Sequence, residues 1–536
     1  MKLLFAALHH GYYRNYESVI ETLASRGHEL YLGAERRDSA IGGQAIVERL
    51  SQGHPNVRHG AIPGREPESS FVASKVRLSY DYLRYLDPMY GGVSGLRPRA
   101  EVRTPAGFLR LTRSPLLSLR PARWLLAQAL DAIDRAVPPS PAIERFLDEQ
   151  RPDAVFVTPL IGLVASSQLD ILRSALARRL PTAVLVWSWD HLSSKAIIRD
   201  LPDRVFVWNH VQKGEAMSMH GVPPERVEVT GAQCFDQWFD RKPARGRADF
   251  VRDVGLADER PYVLWACSAL LPGGPPEPEL VLRWARHIRS SPIPSVRNAA
   301  ILVRPHPSRT AEWDGVEWPD VPNMVLFGDN PIDQTARATY FDSLYHSAAV
   351  VGITTSAFVE AAIIGRPVMT IRFDEIRHEH EGSLHFQHLL KVEGGLMTSA
   401  ATLDEHALQL ADMIGGPPAR VVEQQSRFVR AFVRPHGLDT PATGIMADAL
   451  ERLAASVPTT AVRAPSAFGR FGLRKIAALE HHPRWRSLLL DEREAEVDGR
   501  WQEKERLHEE EMAGKRQRRA ERMRAYKEQK RGKADR

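Results

Sequence analysis

The stretch Gly352-Ile-Thr-Thr-Ser-Ala-Phe-Val-Glu-Ala-Ala-Ile-Ile-Gly-Arg-Pro-Val-Met-Thr-Ile371 reads as one continuous unit. The apolar run Ala348 to Val351 before it suits a buried strand, and Gly352 with three hydroxyl residues sits where a helix begins. The first turn of a helix carries unpaired backbone N–H groups and the positive end of the helix dipole. A phosphate placed there is held by main chain and by Thr354, Thr355 or Ser356. Glu360 falls four residues after Ser356, on the same helix face, where a carboxylate can accept hydrogen bonds from sugar hydroxyls. Gly365-Arg366-Pro367 and the apolar run Val368 to Ile371 close the unit as turn and strand.

Similar apolar runs recur outward from this unit: Leu3–Leu8, Val155–Val157, Ala183–Trp187, Val205–Trp208, Tyr262–Ala266 and Ala300–Val303. Near-continuous apolar runs separated by helical patterns mark parallel strands covered on both faces, so the fold class is α/β. The opening strand, the loop His9 to Tyr13, a helix with Tyr16, Val19, Ile20 and Leu23 on one side, and Gly27-His28-Glu29-Leu30 give a βαβ start. The polar stretch Asp236 to Asp258 precedes a restart of the pattern at Tyr262. Two doubly wound, Rossmann-like domains facing a cleft are expected, over residues 1–233 and 234–455, followed by a linker, helices and a charged tail over 456–536.

A chain of 536 residues with 43% hydrophobic and 26% charged residues fits several ordinary globular cores. No apolar run reaches membrane-span length, and Met1 to Leu8 breaks into His9-His10-Gly11 too early for a secretory signal, so a cytoplasmic location is expected. Two cysteines, Cys234 and Cys267, exclude a disulfide framework or a cysteine-based zinc site. The net charge of +6 divides unevenly. Residues 515–536 carry eleven Lys or Arg against Glu521, Glu528 and Asp535, which leaves the body near neutral.

In open parallel sheets ligands lie beyond the carboxyl ends of the strands, so the polar residues there are the candidates. Arg304-Pro305-His306-Pro307 follows a strand and sets a cation and an imidazole, Arg304 and His306, where they can neutralise phosphate. Trp187-Ser188-Trp189-Asp190-His191 follows another. Asp190 beside His191 suits base work on an acceptor hydroxyl, or Asp190 caps a helix while the tryptophans fill the core. His9 or His10, in the first strand-to-helix loop, can act as base or phosphate ligand. Glu381 and Ser383 follow the Val368–Ile371 strand and can line the same pocket. His378, His380, His385 and His388 show no firm ligand spacing, so no metal is expected. Residues 97–123 hold seven arginines against Glu101 with leucines interleaved, which suits either an anionic membrane surface or a solvated helical insertion.

The opening residues with Gly11 and Arg26-Gly27-His28-Glu29-Leu30, the run Arg226 to Gly231 with Phe235-Asp236, and the stretch around Glu360 with Gly365-Arg366-Pro367-Val368 resemble the two-domain glycosyltransferases of the GT-B fold. The last stretch is similar to the donor-binding segment shared with UDP-N-acetylglucosamine 2-epimerases and related surface-glycan transferases. The resemblance covers about residues 1–450. It implies Thr354, Thr355 and Ser356 as diphosphate ligands and Glu360 as ribose ligand. Where many of those epimerases have Ser-Gly-Gly, this chain has Thr354-Thr355-Ser356, and a single Glu360 stands where they often show Glu-Glu; both departures favour a transferase. The expected activity is metal-independent transfer of a sugar from a nucleotide-sugar co-substrate to a cell-surface glycan or lipid-linked acceptor, without a bound cofactor. The base would be His10, or Asp190 with His191. The rival readings are a CDP-polyol phosphotransferase, a UDP-sugar 2-epimerase-like enzyme, and a non-catalytic module that docks on membrane or RNA through its basic tail. Among partners, peripheral contact with an anionic membrane through 97–123 or the tail is expected before nucleic acid.

Overall fold

The computed structural model describes residues 1–36, 43–91, 96–161, 166–256, 260–269, 275–331, 333–376, 383–458, 460, 464–480, 482 and 506. Thirteen strands form two sheets among them. The first contains β1 (Lys2–His9), β2 (Glu29–Arg36), β3 (Val57–Ala61), β4 (Ala154–Thr158), β5 (Thr182–Leu185), β6 (Arg204–Val207) and β7 (Val227–Val229). The second contains β8 (Tyr262–Ala266), β9 (Ala300–Arg304), β10 (Met324–Leu326), β11 (Ala349–Gly352), β12 (Val368–Ile371) and β13 (Thr398–Ala400). The spatial orders are β3-β2-β1-β4-β5-β6-β7 and β10-β9-β8-β11-β12-β13, with every pairing parallel. Each order reverses beside its first strand, between β1 and β4 and between β8 and β11, which opens a crevice at the strand ends.

Strand alternation divides each core in two. Leu3, Phe5 and Ala7 of β1 enter one apolar cluster, while Leu4 and Ala6 enter another on the opposite face. In the second sheet Tyr262 and Leu264 face one layer, and Val263 and Trp265 the other. Both faces of both sheets are therefore dry, which is why the central strands carry unbroken apolar sequence.

The helix Ala442–Ala454 departs from the expected domain boundary at residue 455. Met446, Ala447, Ala449, Leu450 and Leu453 complete the cluster formed by β1 and the helix Glu17–Ser25, so this helix belongs by packing to the first domain. Its apolar stripe has no partner in the second sheet's own layers, and the chain returns to bury it. The helix Ala467–Glu480 also lies on the first domain, against the helix Arg120–Arg135. The segment 97–123 is a set of short helical pieces, Leu96–Glu101, Ala106–Thr112 and Pro115–Ser118, leading into Arg120–Arg135. The basic tail 515–536 lies outside the described residues.

Buried ion pairs fasten this helical layer to the first sheet. Asp134 accepts from Arg77 at 2.8 Å and from Arg173 at 2.8 Å, and Asp170 accepts from Arg77 and from Arg65. Burial alone would raise both carboxyls, but the facing guanidinium groups outweigh it and hold both below the ordinary range. No described helix is long and apolar enough to cross a membrane.

The packing of the returning helix is tested by Leu450→Ala. Removing a fully buried leucine is expected to cost about 2–5 kcal/mol, read by urea denaturation as earlier unfolding of the first domain. An unchanged transition would place the helix outside that core.

Candidate functional site

The carboxyl ends of the two sheets face each other across an open cleft of about 1320 Å³. The first domain contributes Arg14 and Asn15 after β1, Trp187 to Trp189 after β5, and Trp208 after β6. The second contributes Ala266 and Cys267, Arg304 to Pro307, Asp329 to Pro331, Arg337, Tyr340, Thr355 to Ala357, and Glu360. Cys234, Phe235, Gln237, Trp238 and Arg241 line the junction between them. Trp189 and Trp208 pack into the same apolar cluster as the upper layer of the second sheet, so the two walls share a core at the base of the cleft.

The second-domain wall is built around Arg304 and Glu360. Arg304 ends β9 and is 6% exposed, with its guanidinium 4.8 Å from the centre of the Tyr340 ring. Nη2 donates to the Asp329 carbonyl at 2.7 Å, and the buried Nη1 has no hydrogen-bond partner. Burial lowers the Arg304 pKa, but an arginine stays charged, so a desolvated cation with one unpartnered nitrogen sits in the cleft wall. Gly328, at φ +126, makes room for it: a Cβ there would lie 2.3 Å from Nη1. The Tyr340 hydroxyl donates to Glu360 Oε2. Burial pushes the Glu360 carboxyl up to about 7, against the pull of the Tyr340 hydrogen bond, Arg14 and Arg304.

Helix Ala357–Ile363 begins beside them, as the sequence predicts. The Thr354 N–H donates to Ser268 Oγ at 3.0 Å, and the Ser268 N–H donates to the buried Glu277 carboxylate at 2.8 Å. Glu277 also accepts from Trp265 Nε1 at 3.1 Å, and burial raises its carboxyl to about 7. This relay fixes the β11 loop on the β8 loop. The Thr354 main chain is thereby tied to the scaffold, while Thr355 and Ser356 line the cleft. His306 also lines it, with Nδ1 held 2.8 Å from Ser308 Oγ.

The first-domain wall differs from the sequence expectation. His10 does not line the cleft; its ring packs 5.8 Å from His59 of β3, and burial, then His59, lowers its pKa. The same loop reaches the cleft four and five residues later, through Arg14 and Asn15. His191 is fully buried, with Nε2 2.9 Å from the Pro159 carbonyl and Nδ1 accepting from the Trp187 N–H. Burial drops its pKa to about 3, so it is a neutral strut and not a cleft base. Asp190 sits behind the wall, in an ion pair with Lys195 at 3.0 Å and accepting from Ser188 and Ser194. Burial would raise its carboxyl, but Lys195, His385 and these hydrogen bonds hold it well below the usual range. Its one route to the cleft is the Ser188 hydroxyl. Ser383 is buried and caps the helix Leu384–Lys391, accepting from the Phe386 N–H at 3.3 Å, so it does not line the pocket. Glu381 lies outside the described residues.

Residues the sequence did not point to complete the site. Arg241 lies close enough to Arg337 for the like charge, after burial, to lower its pKa. Arg337 reaches across the domains to Glu17 at 2.8 and 3.1 Å. Together with Arg14 and Arg304 they make the cleft strongly cationic. Among the described residues no group of three or more His, Cys, Asp or Glu is placed to hold a metal ion.

No family model matches the chain, and no curated protein matches it. Among solved structures it is similar to a UDP-GlcNAc 2-epimerase from Neisseria meningitidis bound to UDP-GlcNAc, at 12% identity and TM-score 0.46, over 84% of this chain and 100% of that one. It is similar also to the Anabaena protein HepE in complex with UDP, at 10% identity and TM-score 0.46, over 85% and 100%. A third is a glycosyltransferase from Rickettsia africae, at 8% identity and TM-score 0.47, over 86% and 99%. Two doubly wound domains, face to face at their strand ends, with a helix that returns to the first, are the arrangement the sequence predicts.

Proposed function

We propose that the protein is a glycosyltransferase that takes a sugar from a nucleotide-sugar donor bound on the second-domain wall. The observation that carries this reading is the presence, in the wall of one cleft, of the Arg304 guanidinium and the Glu360 carboxyl. A cation for a diphosphate beside an acceptor for ribose hydroxyls fits a nucleoside diphosphate end to end. The diphosphate lies at the start of helix Ala357–Ile363, against Thr355, Ser356, Arg304 and His306, with Thr354 supporting the loop from behind. Trp187, half-buried in the cleft wall, offers an apolar face to the sugar or acceptor.

In the transfer, the bond from the anomeric carbon to the diphosphate oxygen breaks and a bond to an acceptor hydroxyl oxygen forms. Negative charge gathers on the departing diphosphate, beside Arg304, Arg241 and the start of the helix Ala357–Ile363, which line the cleft. These fixed cations take the neutralising role a divalent ion has elsewhere, so the reaction is metal-independent in this reading. The proton of the acceptor hydroxyl leaves with the departing diphosphate, whose oxygen gains basicity as its bond breaks, while the Ser188 oxygen, its own hydrogen donated to Asp190, orients the acceptor. Asp190 is then a positioning residue, acting from behind the wall. The acceptor is a glycan or a lipid-linked saccharide.

Three measurements test this. In a thermal-shift screen over UDP, GDP, CDP and TDP, one nucleotide is expected to raise the melting temperature, and Glu360→Ala to weaken its binding about 10- to 100-fold. No shift with any nucleotide would overturn the assignment. Glu360→Gln tests the buried carboxyl directly. The folded pKa of about 7 lies above the ordinary 4.5, so ionised Glu360 costs stability, a cost that grows from pH 4.5 upward and is complete above pH 7. The ligand-free Gln variant should therefore melt higher than wild type at pH 8 and level with it near pH 4. Finally, turnover should persist in excess chelator, while Asp190→Asn lowers kcat at least about tenfold with little change in donor KM.

A further inference from the structure

The helical layer on the first domain carries a surface that the cleft does not use. Seven of the thirteen exposed large apolar side chains among the described residues lie in two short stretches, Leu111, Leu116, Leu119, Trp124 and Leu125 in one and Phe468 and Phe471 in the other. Leu116 is 68% exposed, Trp124 and Leu125 each 61%. Side chains of this size are normally exposed singly, and a concentration of them marks an interaction surface.

The second stretch and the end of the first, Trp124 and Leu125, lie on adjacent helices, with Leu111, Leu116 and Leu119 in the segment that leads into the helix Arg120–Arg135. Gly469 and Gly472 let the helix Ala467–Glu480 approach the helix Arg120–Arg135 closely: a Cβ on Gly469 would lie 2.0 Å from the Ala132 carbonyl, and one on Gly472 2.7 Å from Ile133. Leu473, Ile476 and Ala477 fill the seam with Leu126, Ala127, Leu130 and Ile133. The inner faces of both helices are thus satisfied, and Trp124, Leu125, Phe468 and Phe471 are left outside.

The charge around them has one sign. Residues 102–130 and 464–479 contain Arg103, Arg110, Arg113, Arg120, Arg123, Arg470, Arg474 and Lys475 and no Asp or Glu. Arg110, Arg113, Arg120, Arg474 and Lys475 are exposed and make no ion pair among the described residues. A shallow groove lined by Arg120, Arg123, Trp124 and Asp87 opens beside them. Elsewhere in this domain arginines pair with acids, as Arg77 does with Asp134 and Asp170. The unpaired ones gather where the leucines and aromatics are exposed.

We propose that this surface docks the protein on an anionic lipid bilayer, with Leu116, Leu119, Trp124 and Leu125 entering the headgroup boundary and the arginines meeting lipid phosphates. Two weak signals combine, since apolar insertion or electrostatic attraction alone gives only marginal, reversible attachment. A second copy of the chain would bring like charges together across the contact. Nucleic acid would use the arginines and leave the leucines in water. A bilayer with acidic headgroups uses both. The inference is independent of the donor site, although it would bring the cleft to a lipid-linked acceptor. The ion pairs Arg77–Asp134 and Arg173–Asp134 hold the layer rigidly on the sheet, so docking fixes the whole first domain and not a loose arm.

The test is co-sedimentation of the full chain with vesicles of phosphatidylcholine alone and with phosphatidylglycerol added. Binding is expected only with the anionic lipid and is expected to fall as salt rises. The variant Leu116→Ala, Trp124→Ala, Leu125→Ala should lower the partition at least about tenfold. Trp124→Phe should keep most of it, and the melting temperature should be unchanged in both, because these side chains are exposed. Charge removal by Arg110→Gln, Arg113→Gln and Arg120→Gln should flatten the salt dependence. Undiminished binding by the triple alanine variant would assign the attachment to the basic tail and overturn the proposal, as would equal binding to neutral vesicles. A wild-type dimer that the triple variant turns into a monomer would also overturn it, since the patch would then be a protein interface.

Discussion

The two domains are tied through the carboxylate of Asp236. It accepts from Arg434 Nε at 3.0 Å, from the Ala442 N–H at 3.1 Å, and from the Thr443 N–H and hydroxyl at 2.7 Å each. Thr443 Oγ1 also lies 2.8 Å from Ser18 Oγ in the helix Glu17–Ser25. One acid, just past the last strand of the first sheet, thus binds the outgoing chain to the returning helix and sits at the N-terminus of that helix, where its charge is favoured. The angle at which the domains meet depends on this knot. The shared core of Trp189 and Trp208 and the Arg337–Glu17 pair hold the same junction.

The cleft is electrostatically lopsided, and its lopsidedness matches its two walls. The second-domain wall holds fixed groups: a stacked guanidinium behind a glycine, a carboxyl pinned by tyrosine, and a helix start tethered through Ser268 to Glu277. Such preorganised groups lose little entropy on meeting a ligand and need no rearrangement as charge develops. The first-domain wall offers aromatic faces and one oriented hydroxyl, which suits a partner recognised by shape. The cations Arg241 and Arg337 lie near the junction, where closing the domains would press them on whatever anion is bound.

The central strands of both sheets were readable because they are buried on both faces and carry unbroken apolar runs. The four strands that the pattern did not reveal, Val57–Ala61, Val227–Val229, Met324–Leu326 and Thr398–Ala400, are the four sheet edges. Edge strands are short and half-solvated, so their sequence is mixed and the runs disappear. That Arg304, His306, Ser356 and Glu360 share one cleft was legible for a related reason: they lie at or just beyond the ends of the readable strands β9 and β11. On the other wall, position in a strand-end loop was a poor guide. In the loop after β1 the histidine turned toward β3 while the arginine four residues later turned to the cleft, and nothing in the sequence separates the two. Arg241, Arg337 and Tyr340 left no signal, since their meaning comes from tertiary neighbours alone.

The return of the helix Ala442–Ala454 to the first core has a consequence for how the chain is made. During synthesis the first sheet is finished long before the helix that covers one of its faces emerges from the ribosome. In that interval Phe5, Leu30 and Val47 share an incompletely roofed core, and the whole second domain must be threaded out before it can be closed. Cotranslational folding therefore cannot proceed one domain at a time. The first half completes its core only when the helix Ala442–Ala454 arrives.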